Sequence, residues 1–122
     1  MSSIREIREK GTEIIEIDLS EVHTEPREVY MKTLEKAEQV IASRARDSVL
    51  TLTRLNRLIL SDMLMEDMKA YIAHNKPYVK KGAVLGIDGL NKVVFNTFSH
   101  MLGRKMLVFN TEQEALAWLT RE

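Results

Sequence analysis

Short β-branched runs alternate with longer amphipathic stretches along this chain, and no other feature limits the fold so strongly. TEIIEIDLS (residues 12–20), SVLTLTRL (48–55), GAVLGI (82–87) and RKMLVFN (104–110) read as strands. Helices are predicted between and after them: from Pro26 to about Arg46, from Ser61 to His74 or Asn75, over about 90–102, and from Thr111 onward. A β-α-β-α-β-α-β-α order implies parallel pairing and right-handed crossovers. The predicted fold class is therefore α/β, with a mainly parallel sheet flanked by helices. The 122 residues suit one domain spanning 1–122, and no linker-like stretch divides them.

Local signals sharpen the elements. Lys10-Gly11 turns a hairpin that makes residues 4–9 an antiparallel edge strand, although the Ile4/Ile7 spacing also fits a helical turn; the hairpin is favoured. Thr24 or Glu25 is the expected cap of the first helix, with Pro26 in its first turn. Tyr30, Leu34, Ala37 and Ile41 form its apolar stripe. Ser61 caps the second helix, with Asp62, Glu66 and Asp67 near the positive end of its dipole and Leu64, Met68, Tyr71 and Ile72 on its buried face. Pro77 ends it. Gly103 is the expected left-handed cap of the third helix. Thr111 and Glu114 form a capping box, with Ala115, Trp118 and Leu119 facing the core.

Composition removes several functions. There is no cysteine, which excludes disulfides, thiol catalysis and thiolate metal sites. Lys+Arg and Asp+Glu are 18 each, so net charge gives no steering toward nucleic acid. His23, His74 and His100 lack metal-type spacing. The carboxylates sit among lysines and arginines, and nothing marks a general acid/base pair. The start of the chain does not read as a secretory signal, and no apolar run approaches the ~20 residues that cross a bilayer. A cytoplasmic protein with neither metal nor cofactor is expected.

The glycine-rich segment from Lys80 to Lys105 invites a phosphate-loop reading, which fails on spacing. Gly82, Gly86 and Gly89 do not make G-x-G-x-x-G, and no Gly-Lys-Ser/Thr follows. Gly86 instead permits close packing, and Asp88-Gly89 turns strand into helix. Two segments carry surplus apolar surface. Leu90, Val93, Val94, Phe95, Phe98, Met101 and Leu102 cover an arc of roughly 200°, against the ~100° stripe that one contact needs, with Asn91 inside it. Leu58, Ile59, Leu60, Met63, Leu64, Met65 and Met68 crowd the start of the second helix, more than one helix face buries.

The stretch HNKPYVKKGAVLGIDGLNKVVFNTFSHMLGRKMLVFNTEQEALAWL resembles the SpoIIAA-like family, a branch of the STAS superfamily (sulfate transporter and anti-sigma-factor antagonist domains). NKPYVK, the G-x-x-G-L-x-K of residues 86–92, GRK and FNTEQEALAWL carry the likeness, and EIIEIDLS and SVLTLT match the earlier strands. Together they cover residues 12–119. The resemblance implies a STAS-like fold, a small mixed sheet with its N-terminal strand antiparallel at an edge. It also implies reversible protein binding, which STAS antagonists switch by phosphorylating a serine in a D-S-x-G context at a helix N-terminus. Ser61-Asp62-Met63-Leu64 occupies that place without the context, so Ser61 is a cap first and a candidate phosphoacceptor second. Arg54 stands where family members often carry an acid, and that acid's role does not transfer. The family is also similar to lipid-carrying CRAL-TRIO domains.

These readings converge on a non-enzymatic domain that carries or senses a nonpolar small molecule or lipid, in a pocket lined by Leu60, Met63, Met65, Tyr71, Phe95, Phe98 and Leu102. The alternative is a protein-interaction module in bacterial regulation. Candidate partners are the nonpolar ligand, a second copy of the chain, a regulatory protein and, peripherally, the inner face of the membrane.

Overall fold

A computed structural model of the chain describes residues 1–87, 92, 96, 99, 100 and 105–121. Five strands form one sheet in the order β1-β2-β3-β4-β5: β1 Ser3–Glu9, β2 Thr12–Asp18, β3 Val49–Arg54, β4 Val79–Leu85 and β5 Met106–Val108. The hairpin is antiparallel, with Ile4 opposite Ile17 and Ile7 opposite Ile14. Lys10 (φ 54°) and Gly11 (φ 78°) both adopt the left-handed region, as a two-residue turn that matches strand twist requires. Strands β2 to β5 run parallel. The mainly parallel sheet with an antiparallel edge is thus as expected.

Helices α1 (Arg27–Ala42), α2 (Asp62–Asn75) and α3 (Glu112–Thr120) flank the sheet. One face packs Ile15, Ile17, Val49 and Val84 against the stripes Tyr30-Leu34-Ala37-Ile41 of α1 and Leu64-Met68-Tyr71-Ile72 of α2. The other packs Ile14, Leu50, Leu52 and Ala83 against Ala115 and Leu119 of α3. Thr111 caps α3 as expected, its Oγ1 accepting the Glu114 N–H at 3.2 Å, but the Glu114 carboxylate accepts the Thr111 hydroxyl at 2.9 Å rather than its backbone N–H, so half of the capping box forms.

Several boundaries differ from the sequence reading. Strand β2 ends at Asp18 because Glu21 turns at φ 54° into a short 3₁₀ turn, Val22–Thr24. Neither Thr24 nor Glu25 caps α1: Pro26 holds the cap position without a side-chain bond. Thr24 donates instead to the Glu21 carbonyl, and the Glu25 carboxylate receives the Ser2 N–H and hydroxyl. Strand β4 begins at Val79, three residues early, since Val79 is buried and pairs with Val49. A register shift between Val49 and Leu50 leaves Lys80 as the extra, bulged residue. Asp67 does not lie on the wet face. It is buried between α1 and α2, where it accepts from Tyr30 Oη at 2.6 Å and from Arg27 Nη2 at 2.8 Å. The expectations for Asp88-Gly89, Asn91, the apolar arc of 90–102 and the Gly103 cap rest mainly on residues outside those described.

Candidate functional site

The carboxyl ends of β2, β3 and β4 open onto the loop that leads from β3 into α2, residues 55–61. Its backbone is tied down on both sides. Leu55 N–H donates to Leu85 O at 2.9 Å, and the Glu21 N–H donates to Asn56 O at 3.0 Å. Asn56 N–H donates to Ser20 Oγ at 3.0 Å, and Ile59 N–H to His23 Nδ1 at 3.1 Å, which makes that ring nitrogen an acceptor. Arg57 takes a left-handed conformation (φ 53°) and pairs with Glu21 at 3.0 Å, holding that carboxyl below its ordinary value. Gly86 (φ 84°) lies under the loop: a Cβ there would stand 2.8 Å from the Asn56 nitrogen. The close packing read from this glycine is real.

This anchoring fixes an apolar surface in the open. Leu58 and Leu64 are buried, Leu60 and Met65 pack partly onto the core, yet Ile59 is 66% and Met63 54% exposed. Ser61 sits between them. It is exposed, and its Oγ accepts the Leu64 N–H at 3.1 Å, so it caps α2 as expected. Its hydroxyl hydrogen has no partner within this cap, so an incoming group can reach the oxygen.

Tyr71 lies elsewhere. Eight residues along α2 from Met63, about 12 Å at helical rise, it is buried, and burial raises its hydroxyl pKa, with the Glu38 charge adding to the effect. It lines a cavity of about 30 Å³ together with Ile72, Asn75, Thr51, Thr53 and Met106. That volume holds one water molecule and no lipid. Leu60, Met63 and Met65 do not line this cavity, and Phe95, Phe98 and Leu102 lie outside the described residues. The structure therefore groups Leu60, Met63 and Met65 around the lead-in and sets Tyr71 apart. Thr51 and Thr53 escaped the sequence reading, though their alternation along β3 places them on one sheet face.

A second polar feature was also missed. Glu16 on β2, 6% exposed, receives Arg5 Nε at 2.6 Å and Arg54 at 3.2 Å, and Arg54 also pairs with Glu112. Burial pushes the Glu16 carboxyl up, but the two guanidiniums outweigh it and hold the group below its ordinary value. Arg54 is thus a bridge between the sheet and α3.

The family model described as SpoIIAA-like matches residues 14–120. The chain belongs to the SpoIIAA-like family. Two solved structures share the fold of this SpoIIAA-like chain. An anti-sigma-factor antagonist (STAS) domain protein from Planctomyces limnophilus is 16% identical with TM-score 0.62, over 98% of this chain and 99% of that one. An uncharacterized protein of the DUF3478 family with a SpoIIAA-like fold, from Shewanella loihica PV-4, is 18% identical with TM-score 0.65, over 98% and 95%. A comparison with curated proteins finds no match. Among the described residues, no helix is long and apolar enough to cross a membrane, and no three His, Asp or Glu side chains converge as metal ligands.

Proposed function

We propose that this SpoIIAA-like domain is a non-enzymatic binding module, and that it docks reversibly onto an apolar patch of a regulatory protein through Ile59, Leu60 and Met63. One observation carries the reading: the lead-in exposes large apolar side chains on a backbone held by hydrogen bonds to the loop after β2 and to the end of β4. Loop freedom normally lost on association is already restricted here, which lowers the entropic cost of docking. Ser61 is exposed at the centre of this surface, so its phosphorylation would add charge amid the contact and weaken it. The relative described as an anti-sigma-factor antagonist domain supports a regulatory partner. The test is affinity capture with the wild-type chain and with Ile59→Ser/Met63→Ser, followed by titration of the captured protein in purified form. Binding by wild type alone supports the proposal; equal binding by both proteins defeats it. Light scattering reveals self-association on the same surface, the homodimer alternative.

The carrier reading keeps a foothold in the cavity beside Tyr71. It requires that cavity to widen when a nonpolar molecule or lipid enters; Phe95, Phe98 and Leu102, which this reading adds to the lining, lie outside the described residues. Native mass spectrometry of the purified chain after exposure to a lipid extract, with liposome flotation for peripheral membrane contact, tests it. An unliganded mass throughout and no flotation exclude it.

A further inference from the structure

At the opposite end of the parallel strands lies a concavity of about 250 Å³, bounded by the starts of β2, β3 and β4 and the end of α3. Three cations face it, Lys80, Lys81 and Arg121, and among the described residues no carboxylate lines it. Two acids adjacent in sequence to its lining are committed elsewhere, and Glu122 lies outside the described residues. Glu13 pairs with Arg44 at 2.9 Å, and Asp47 with Lys105 at 3.3 Å. Lys81 Nζ donates to the carbonyls of Trp118 (2.9 Å) and Arg121 (2.7 Å), which caps α3 and leaves one donor free. Lys80 is exposed because the β-bulge turns it out of the ladder. Among the described residues neither Lys80 nor Arg121 has an acidic partner, and the Thr12 hydroxyl at the rim has no hydrogen-bond partner. Burial lowers the pKa of Lys81, and the charges of Arg121 and Lys80 lower it further. Among the described residues the local field is therefore positive, although the whole chain is neutral.

We propose that this concavity binds a phosphate group, with Lys80, Arg121 and the free donor of Lys81 on the phosphoryl oxygens and the Thr12 hydroxyl as a further donor. A multi-oxygen dianion suits two point charges and one planar fork better than a single carboxylate does. Leu50 and Leu119 line the same concavity, so a phosphomonoester has an apolar floor for its carbon portion. Free phosphate, a soluble phosphomonoester and a lipid headgroup share this chemistry.

Trp118, the only tryptophan, reports on the site, since Lys81 Nζ lies 5.3 Å from its ring centroid. The full chain is titrated with inorganic phosphate at constant ionic strength while Trp118 fluorescence is followed, with chloride as control. Glycerol phosphate and vesicles containing phosphatidic acid form parallel arms. The expected result is a saturable change absent with chloride, and a midpoint raised about 10-fold by Lys80→Ala or Arg121→Ala, the loss of one charge-assisted bond. Both side chains are exposed, so these variants keep the fold, which circular dichroism checks. A lower midpoint for glycerol phosphate identifies soluble esters as the source; a response to vesicles at lower phosphate concentration than to either soluble anion identifies a headgroup. Glu122→Gln, at the residue beyond Arg121, should leave the midpoint within about 3-fold. A non-saturable response, an equal response to chloride, indifference to Lys80→Ala and Arg121→Ala, or binding that appears only in Glu122→Gln overturns the proposal.

Discussion

The two ends of the parallel strands differ in chemistry and in how they are held. At the carboxyl ends, loops from β2 and β3 bond to each other and present Ile59 and Met63 to solvent. At the amino ends, a bulge and a helix terminus bring Lys80, Lys81 and Arg121 together around a hollow. Strand β3 separates them by roughly 20 Å at strand rise, more than two Debye lengths in physiological salt. One small sheet therefore offers two surfaces of opposite character that need not sense each other. Nonpolar docking belongs where backbone polar groups satisfy one another, and anion binding where cations outnumber acids.

The largest expected effect tests that independence. Gly86→Ala places a Cβ against the Asn56 backbone at a φ that alanine resists, and should destabilise by at least ~2 kcal/mol. Chemical denaturation measures the loss. In native buffer the Trp118 response to phosphate should survive while partner binding weakens; parallel loss of both would show that the ends are coupled.

Asp67→Ala comes next. It leaves the Tyr30 hydroxyl, buried between α1 and α2, without its acceptor, and should cost about 2 kcal/mol. The same group sets a pH dependence. Arg27 chiefly holds the Asp67 carboxyl below its ordinary value, against burial and with help from Tyr30. A carboxyl lowered on folding stabilises above its unfolded pKa, and that stability fades as pH falls through the folded value. Melting temperature should therefore drop below about pH 4, and Asp67→Asn should flatten that acid limb. An unchanged limb would place the acid sensitivity with Glu13 and Glu16, which are also lowered.

Ser61→Ala removes the α2 cap and should cost about 1 kcal/mol, whereas Ser61→Asp keeps an acceptor and should cost less. If Ser61→Asp still abolishes partner binding at unchanged stability, charge at this position acts on the interface. Smallest of all, Ile59→Ser/Met63→Ser and Lys80→Ala should each shift stability by no more than about 0.5 kcal/mol. Their effects belong to binding alone, one at each end of the sheet.

Much of this architecture was written in local pattern. The stripes of α1 and α2, the Ser61 cap, the Thr111 cap and the Lys10-Gly11 turn each depend on residues within a few positions of one another, and all are present. The apolar surplus around Leu58–Met68 was equally legible, because seven large side chains in eleven positions exceed one helix face. Which of the seven stay exposed was not. Burial of Leu58 and exposure of Ile59 follow from bonds that the lead-in makes to Ser20, Glu21 and His23, more than thirty residues earlier in the chain.

By itself, then, the sequence determined the alternating order, the parallel pairing and the edge hairpin, since periodicity, caps and turns act over short range, while family membership rested on the resemblance of whole motifs and on the family match over residues 14–120. Tertiary structure alone decided that Asp67 is buried beside Tyr30, that Glu16 lies between Arg5 and Arg54, and that a one-residue bulge turns Lys80 toward Arg121. Each of these joins residues about 10 to 40 positions apart. Their proximity depends on strand register and helix packing, which place distant side chains on one face only once the whole sheet has formed.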